Sequence, residues 1–482
     1  MTVKPVLKKI LWGLAALLLL SALGAFFLLR ASLPKLDGEL ALPGLSQPTV
    51  IERDDNGTVT VRAQNAADSA RALGFVHAQE RYFEMDLLRR SASGELSELF
   101  GKIAIDKDKS IRVHRLRARI QQNYAQMAGS EAATLQAYAD GVNAGLDALS
   151  AKPWPYLLLN TAPEPWKPED SFLVGFAMFF DLQDEDNERE YKLWQLKNVL
   201  PAPIYAMLTQ TRSSWDAPLF GAPDVAVGIP DASQINLNAF DAPQLAYQPN
   251  RLAEAVGSNN FAVSGALTAD GRAIVADDMH LGLRAPNIWF RARLLTGADS
   301  DVSGFTLPGI PSVIVGSNRH VAWGFTNSYG DWADFMRVHW QDAGQTRYLD
   351  GDGKTRNVQV FQETIAVKGG KPVSFTVRET IWGPVTKELN ASYSLALQWA
   401  AQQPGALNMG LNQLATSTDL DSALGIMQRI GMPGQNLVIG DKNGRIAWRL
   451  TAQMPKRVGG CDKTAPIDPQ TDPHLTVPAP NT

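Results

Sequence analysis

The sequence predicts an α+β protein with a mainly helical first half and a β-rich second half. Apolar residues recur at helical spacing over residues 66–100, and further helical patterns cover roughly residues 112–150 and 171–200. After Ser258 the pattern changes to short alternating segments, which are typical of strands. Residues 201–254 lie between the halves and have the Pro-, Asp-, Ala- and Asn-rich composition of a linker.

The first predicted elements are a β-hairpin and a long helix. Strands at residues 50–53 and 59–61 flank the turn sequence Asp-Asp-Asn-Gly. The helical stripe that follows is broken near Gly94. In the second half the pattern predicts strands at residues 260–263, 273–276, 288–295, 312–315, 321–325, 335–340, 358–367, 373–380 and 437–448.

Composition limits the classes of partner. The chain has 482 residues, of which 45% are hydrophobic and 20% charged, enough for a substantial core. A formal net charge of -4 gives no broad basic field, so nucleic acid is a poor candidate partner and small molecules are better ones. Cys461 is the single cysteine and cannot form an intramolecular disulfide.

The N-terminus predicts a membrane anchor. Three lysines among the first nine residues precede an uncharged run of 20 residues, from position 10 to position 29. A membrane-spanning helix needs about 20 residues. The weak small-residue site at residues 21–25 lies inside this run, so an uncleaved signal-anchor is favoured over a cleaved signal peptide. The positive-inside rule places the remainder across the membrane, which in a bacterium is the periplasm, whereas cleavage would give a secreted protein.

A Gly-Ser-Asn-Asn cluster stands at the junction of the two halves, at Gly257 and Ser258. Such residues commonly form a turn before a strand, and the Gly-Ser-Asn sequence at residues 316–318 needs no other explanation. The chain has no Gly-x-Ser-x-Gly motif, the usual sequence context of a nucleophilic serine in α/β-hydrolases.

Four segments in order resemble the penicillin acylase family of N-terminal-nucleophile hydrolases. They begin IERDDNGTVTVRAQ, GSNNFAVSG, LPGIPSVIVGSNRH and GQNLVIGDKNGRIAW, and lie within residues 51–101, 257–290, 307–335 and 434–457. The resemblance implies an αββα sandwich of two stacked antiparallel sheets. It also implies a hydrolase for linear amide C–N bonds that removes the acyl group from small N-acyl amines, such as penicillins or acyl-homoserine lactones.

The resemblance maps a self-cleavage site to Gly257-Ser258. The Ser258 hydroxyl would attack the Gly257 carbonyl, and a glycine permits a tight, strained backbone there. Cleavage would leave Ser258 with a free α-amino group beside its own hydroxyl. Such a group has an ordinary pKa of about 7.7–8.0, which suits a general base near neutral pH.

The same resemblance assigns roles to four further residues of the site. The backbone N–H of Asn327 and the side-chain amide of Asn436 are expected to stabilise the oxyanion, each such donor being worth about 10²–10³ in rate. His280 is expected to support the nucleophile by hydrogen bonding, and Arg457 to lie near the site. From the pattern alone, a loop asparagine that caps a turn is favoured for Asn436 and a structural histidine is more typical for His280, while a surface charge is the alternative for Arg457.

Calcium and an apolar acyl group are the ligands that the resemblance implies. Asp331, the carbonyl of Ala333 and Asp334 match positions that hold a structural calcium ion, and no organic cofactor is expected. A further calcium ligand is expected from the first half of the chain, and we choose Glu188; a solvated acidic helix end is the alternative for this residue. Leu281 and Val315 match positions that line the acyl pocket in the family; ordinary core packing is the alternative for both residues.

These matches divide the chain into four predicted regions. They are a cytoplasmic basic end with the anchor helix (1–32), a helical region like the family's first chain (33–200), a linker (201–257) and a nucleophile-bearing region (258–482). The last is shorter than the family's usual second chain, so we expect an incomplete β-rich half. Either the sequence is a fragment or a truncated gene product, or a separate C-terminal polypeptide supplies the remainder. The self-cleaved chains would stay associated. The alternatives are an inactive, membrane-anchored binding module and a calcium-dependent structural module.

Overall fold

A computed structural model describes residues 3–184, 186–210, 213–215, 218, 221–222, 228–231, 233, 235, 257–457 and 464–471. Cys461 and most of the predicted linker lie outside these residues. The helices are α1 Val3–Ala31, α2 Ala66–Ser93, α3 Ser97–Phe100, α4 Ile105–Arg112, α5 Leu116–Ala128, α6 Ala132–Asp147, α7 Trp154–Leu158, α8 Asp170–Leu182, α9 Glu188–Val199, α10 Ala202–Thr209 and α11 Leu420–Met427.

The strands are concentrated in the second half, which confirms the predicted α+β class. They are β1 Val50–Arg53, β2 Val59–Ala63, β3 Gly257–Val263, β4 Ile274–His280, β5 Phe290–Thr296, β6 Ser300–Thr306, β7 Val313–Ser317, β8 Val321–Asn327, β9 Ala333–His339, β10 Arg347–Leu349, β11 Thr355–Asn357, β12 Gln359–Ile365, β13 Val373–Glu379, β14 Val385–Glu388, β15 Tyr393–Trp399, β16 Gln435–Asp441 and β17 Ile446–Leu450.

The long helix α2 has both of the ends that its sequence encodes. The Asn65 side chain accepts a hydrogen bond from the Asp68 N–H at the N-terminus, over 2.9 Å. Gly94 follows the last helical residue with φ 66°, the left-handed conformation that glycine adopts readily. In the crossing of α2 with α6, a Cβ on Gly74 or Gly141 would meet the backbone of the other helix at 2.3 or 2.0 Å. These glycines allow the two helices to pack closely.

The main sheet has eight strands in the order β1-β2-β5-β6-β7-β8-β16-β17. It is mixed rather than purely antiparallel, because β2 and β5 pair in parallel and so join the two halves of the chain. The predicted strand over 437–448 is in fact the hairpin of β16 and β17, with Gly444 at φ 84° in its turn. Strand β6 was not predicted, although it pairs with both β5 and β7.

In the described part of the chain, the hairpin of β3 and β4 forms the layer on one face of the main sheet. The hairpin packs closely on the sheet at two glycines. A Cβ on Gly324 would meet Asp277 at 2.7 Å, and a Cβ on Gly440 would meet Ala273 at 2.8 Å. Along β16, Leu437 and Ile439 alternate with Gly440 and join the core cluster that includes α11. The sheet thus lies between a helical layer and the hairpin that carries Ser258.

Helix α1 is separate from the core. Its segment Leu7–Ala31 is long and apolar enough to cross a membrane, with a mean hydropathy of 2.3 and none of it buried in the protein. Leu18, for example, is 72% exposed. By length and composition alone, a signal sequence at the N-terminus meets the same test.

Candidate active site

Ser258 is the second residue of β3 and pairs with Met279 of β4. Its Oγ accepts a hydrogen bond from the His280 backbone N–H over 3.3 Å. Gly257 is extended in the same strand rather than left-handed, and a Cβ there would meet nothing within 4 Å. We expected a strained backbone at Gly257, but Gly257 and Ser258 both pair in register with β4. Strain is therefore not seen between these two residues. Residue 256 lies outside the described residues.

A small apolar cavity of about 120 Å³ opens at Ser258. Asn327 lines it, and so do Leu281 and Val315, the two residues that we expected in an acyl pocket. Most of the other lining residues are apolar, among them Met178, Met279, Ile310, Phe325 and Met432. The fold thus brings four of the predicted site residues to one cavity.

Asn436 lies beside this cavity on β16, with its side chain held at both ends. Its Nδ2 donates to the carbonyl oxygen of Asn327 over 3.2 Å, and its Oδ1 accepts from the indole Nε1–H of Trp448 over 3.1 Å. The backbone carbonyl of Asn436 accepts from Nδ2 of Asn260, over 3.1 Å. Asn260 belongs to β3, so these bonds connect the strand of Ser258 to the two strands that carry the asparagines.

Asn327 ends β8, and its side chain reaches the helical layer. Nδ2 of Asn327 donates to the carbonyl oxygen of Leu182, over 2.8 Å, at the last residue of α8. Its Oδ1 accepts from the Ser328 N–H, over 2.9 Å. With the side chain engaged in this way, the backbone position of Asn327 at the cavity is fixed from two directions.

His280 contributes its backbone, not its ring, to Ser258. The ring Nε2 lies 2.7 Å from Oδ2 of Asp278, and both side chains are largely exposed. The structure therefore places His280 next to the nucleophile position through its N–H. The expected supporting role of the histidine stays a prediction.

Asp277 is a second carboxyl group close to the site. It lies between the hairpin and β8, and neither carboxyl oxygen has a hydrogen-bond partner among the described residues. Burial raises the pKa of Asp277 to about 7. The Phe325 N–H opposes this effect without forming a hydrogen bond of normal geometry, and the charge of Asp278 adds to it.

A buried hydrogen-bond chain supports the cavity wall. The Thr306 hydroxyl donates to the Phe290 carbonyl over 2.9 Å, so it accepts from the His77 ring Nε2, 3.0 Å away. The His77 Nδ1 is then the acceptor of a hydrogen bond that the Tyr138 hydroxyl donates, over 2.7 Å. The Tyr138 oxygen in turn accepts from the Gly309 N–H over 2.8 Å, next to Ile310 of the wall.

Arg457 and the expected calcium ligands form one ion-pair cluster. Its guanidinium Nη2 lies 2.9 Å from Oδ2 of Asp334 and 3.2 Å from Oδ1 of Asp331, and Nη1 donates to the Asp331 carbonyl over 3.1 Å. Oδ2 of Asp331 is buried without a partner among the described residues. Arg457 is thus placed on the acid cluster.

Helix α9 presents Glu190, not Glu188, to this cluster. Glu188 pairs with Lys387 and lies 3.9 Å from Lys192. Glu190 is buried, and its Oε1 accepts from the Phe335 N–H over 3.3 Å. Burial, together with Asp334 and Asp331, raises the pKa of Glu190 to about 8.

Arg457 engages the expected calcium ligands Asp331 and Asp334. Among the described residues, no three His, Cys, Asp or Glu side chains are arranged to hold a metal ion. Arg457 supplies the positive charge to Asp331 and Asp334 instead. Calcium binding with Glu188 as a ligand is an untested prediction, and the geometry favours Glu190 at that position.

Fold and site together define a class of protein, and comparison with known sequences names it. The penicillin amidase family model matches residues 48–480, and the chain belongs to this family. Its α+β architecture is accordingly that of the N-terminal-nucleophile hydrolases.

The relatives include proteins named as penicillin acylases and proteins named as acyl-homoserine lactone acylases. The chain is 30% identical over 457 residues to penicillin acylase 2 proenzyme of Pseudomonas sp. (strain SE83), covering 89% of this chain and 55% of that protein. It is 28% identical over 443 residues to acyl-homoserine lactone acylase QuiP of Pseudomonas aeruginosa, covering 89% of this chain and 52% of that protein. The chain therefore spans about half the length of these relatives.

Solved structures give a more distant likeness. The thermostable penicillin G acylase from Alcaligenes faecalis aligns at 20% identity with a TM-score of 0.41. The alignment covers 46% of this chain and 40% of that chain.

Four residues beside the site were not found from the sequence: Asn260, Asp277, Glu190 and Trp448. Trp448 lies in a segment whose alternating pattern marks a strand, and nothing in that pattern singles out its indole. Asn260 and Asp277 are neighbours only because β3 and β4 pair. The sequence signal for Asp277 is the pair of adjacent aspartates at residues 277–278, and the sequence does not show which of the two is buried.

Proposed function

We propose that the chain is an acylase that hydrolyses the amide bond of small N-acyl amines, with Ser258 as its nucleophile. The single observation that carries the proposal is the cavity in which Ser258 and Asn327 meet apolar side chains. An apolar acyl group fits such a lining, and its carbonyl would then lie between a hydroxyl and the strand end that bears Asn327. The family membership and the names of the relatives support the same reaction class.

The proposed reaction has two steps. Oγ of Ser258 attacks the acyl carbonyl while its own α-amino group, freed by cleavage after Gly257, takes the hydroxyl proton. The proton passes to the leaving amine, and an acyl ester on Ser258 remains. Water then attacks the ester, with the same amine as base, and releases the carboxylic acid. The Asn327 N–H and the Asn436 Nδ2–H would stabilise the oxyanion of both tetrahedral intermediates.

The proposal includes self-cleavage between the linker (201–257) and the nucleophile-bearing region (258–482), after which both chains stay together. The parallel pairing of β2 with β5 supports this, because it joins strands from either side of the cut in one sheet. The bonds from Arg115 to Glu363 and Glu379 also connect the two regions. A separate C-terminal polypeptide as a partner belongs to the same proposal.

The proposed location is the periplasmic face of the inner membrane, with residues 1–32 as the anchor. The exposed apolar helix Leu7–Ala31 supports it. Membrane fractionation of the full chain, compared with a variant that lacks residues 1–32, tests it: the full chain should resist extraction with alkaline carbonate and the shortened one should not. A full chain that is extracted, or a mature N-terminus after the helix, would favour secretion.

The decisive experiment is N-terminal sequencing and intact mass of the purified protein beside its Ser258→Ala variant. We expect the wild type to give a second chain that begins Ser-Asn-Asn-Phe and to hydrolyse penicillin or an acyl-homoserine lactone. Ser258→Ala should remain one chain without activity. Folded wild type that stays uncut and inactive would instead support a binding module, and activity in the Ser258→Ala variant would refute the mechanism.

A further inference from the structure

A second cavity adjoins the apolar cavity at Ser258, on the side of β17. Its volume is about 700 Å³, and it is formed by the end of α11, the end of β17 and the segments that follow both. Asn408, Ile430 and Gly431 line both cavities and so form a shared wall. No step of the proposed acylase reaction uses this second cavity.

Positive charge distinguishes the second cavity, which we call the basic cavity. Arg429, Arg449 and Lys456 line it, and its described lining residues include neither aspartate nor glutamate. The side chains of Arg449 and Lys456 have no hydrogen-bond or ion-pair partner within the described part of the chain. Arg429 donates from Nη1 to the carbonyl of Gly425 over 2.9 Å. A guanidinium has five N–H donors, so this bond leaves most of those on Arg429 available.

Arginines that line the large cleft beside the β3–β4 hairpin are neutralised within the protein. Arg293 lies 2.7 Å from Oδ2 of Asp301, and Arg319 lies 2.5 Å from the same oxygen. No carboxylate among the described residues does this in the basic cavity. Its like charges therefore repel one another, and an anion from solution would relieve that repulsion.

The kinds of cation indicate the chemistry of the anion. A guanidinium is a planar fork that matches two oxygens of a carboxylate or a phosphate, and an ammonium is a compact point charge. A singly charged ion would leave two of the three cations uncompensated, so an ion with more charge fits better. Arg429 and Lys456 are exposed, which gives the ligand access, whereas Arg449 is partly buried and its charge is screened less by water.

The basic cavity contacts the strand that carries the expected oxyanion donor. Leu450 lines this cavity and pairs with Asn436. Thr451, which also lines it, donates from its N–H and from its hydroxyl to the carbonyl of Gln435, over 2.9 and 3.1 Å. Gln435 in turn lines the apolar cavity at Ser258. A ligand in the basic cavity would thus lie one hydrogen-bonded strand away from the catalytic cavity.

We propose that the basic cavity binds an oxyanion with two or more negative charges through Arg429, Arg449 and Lys456. The oxyanion is inorganic pyrophosphate, a phosphate ester or a dicarboxylate, which share this chemistry. The site is separate from Ser258, and its binding step does not depend on the acylase function.

The test is calorimetric titration of the full chain with inorganic pyrophosphate, glycerol 3-phosphate and succinate. Each is used in metal-free buffer at one ionic strength, with sodium chloride as the blank. We expect at least one of the three to bind at millimolar concentrations or below, and the tightest binder identifies the kind of oxyanion. Arg449→Gln should raise its Kd by about tenfold or more, because a charge-assisted hydrogen bond is lost. Lys456→Gln should raise the Kd less, since this residue is exposed.

Arg319→Gln is the matched control, because Arg319 lines the other cleft and already pairs with Asp301; its Kd should equal that of wild type. Circular dichroism shows whether Arg449→Gln is folded, and the exposed Lys456 keeps the test valid if it is not. Heats no larger than the blank for all three ions, or one Kd shared by wild type and the folded variants, would overturn the proposal. Since no substrate is used, an uncut and inactive wild type would count against the acylase function alone.

Discussion

The indole N–H of Trp448 donates to Oδ1 of Asn436 over 3.1 Å, while Nδ2 of the same amide donates to the Asn327 carbonyl over 3.2 Å. An indole N–H only donates and a carbonyl only accepts, so the amide cannot flip without losing both bonds. The N–H end of Asn436 is thereby directed to the side of Asn327. Trp448 is 63% exposed, so hydrophobic burial is a minor reason for its position.

We predict that Trp448→Phe lowers kcat more than it changes KM. Phenylalanine keeps an aromatic ring but lacks the N–H, so the Asn436 amide keeps only its bond to the Asn327 carbonyl and is held less firmly. Loss of one oxyanion donor costs about 10²–10³ in rate, and a less firmly held amide should lose part of that, roughly 5- to 50-fold. Steady-state kinetics of processed protein measure it.

A double-mutant cycle shows whether Trp448 acts through Asn436. If it does, Trp448→Phe should have little further effect in an Asn436→Ala background. Additive effects on kcat would mean that the two residues act independently. Circular dichroism and the extent of self-cleavage serve as controls for folding.

Asp277 should make stability depend on pH near neutrality. Its pKa is raised to about 7 in the folded protein from an ordinary value of 3.8, so the native state binds the proton more tightly. The free energy of unfolding should therefore fall as pH rises from about 4 to about 7, by at most about 1.4 kcal/mol for each pKa unit of difference. Above that range the ionised carboxylate lies unpaired between hairpin and sheet.

The Asp277→Asn variant isolates this contribution, because it keeps the shape of the side chain without a charge. We expect it to be more stable than wild type at pH 8 and to lack the decline between pH 4 and 7. Urea unfolding at a series of pH values measures both. The exposed neighbour provides the control, since Asp278→Asn should keep the decline.

The local elements were predictable from the sequence because their signals are local. The Asn65 cap and the Gly94 end of α2 are each encoded within a few residues of the helix terminus. The mixed pairing of the main sheet has no such signal, because it joins β2 to a strand more than two hundred residues later.

The choice between Glu188 and Glu190 shows where prediction from the sequence stops. Both lie in the first turn of α9, and residues two apart point about 200° apart around a helix. Which of them reaches β9 depends on how the helix packs, and that is set by contacts distant in sequence. Ser258 was found because its motif is contiguous, whereas the bond of Trp448 exists only after β16 and β17 pair.

Calcium should stabilise the protein through Glu190 and not through Glu188. Saturating calcium at about 100 times its Kd would add about 2.7 kcal/mol. We expect Glu190→Gln to remove this effect and Glu188→Gln, its matched control, to retain it. Because Arg457 competes for Asp331 and Asp334, Arg457→Gln should strengthen calcium binding. Thermal unfolding with calcium or EDTA measures the effect, and identical Tm values in both would rule out a site.

Tyr138 should control both stability and the cavity wall. Tyr138→Phe leaves the Gly309 N–H and Nδ1 of His77 without partners in a fully buried place. Each of these two unsatisfied buried groups costs about 1–3 kcal/mol, so we expect a loss of roughly 2–6 kcal/mol in urea unfolding. The turn at Gly309 would also be less well fixed, which should raise KM for acyl substrates more than it lowers kcat.

Acid titration provides the independent check on this chain of bonds. Burial lowers the pKa of His77 to about 3, so the native state excludes a proton that the unfolded chain binds near pH 6.5. The contribution of neutral His77 should therefore be lost as pH falls from about 6.5 towards 3. In a His77→Gln variant that part of the acid decline should disappear. If wild type and His77→Gln respond to acid identically, the ring is not held neutral between Tyr138 and Thr306.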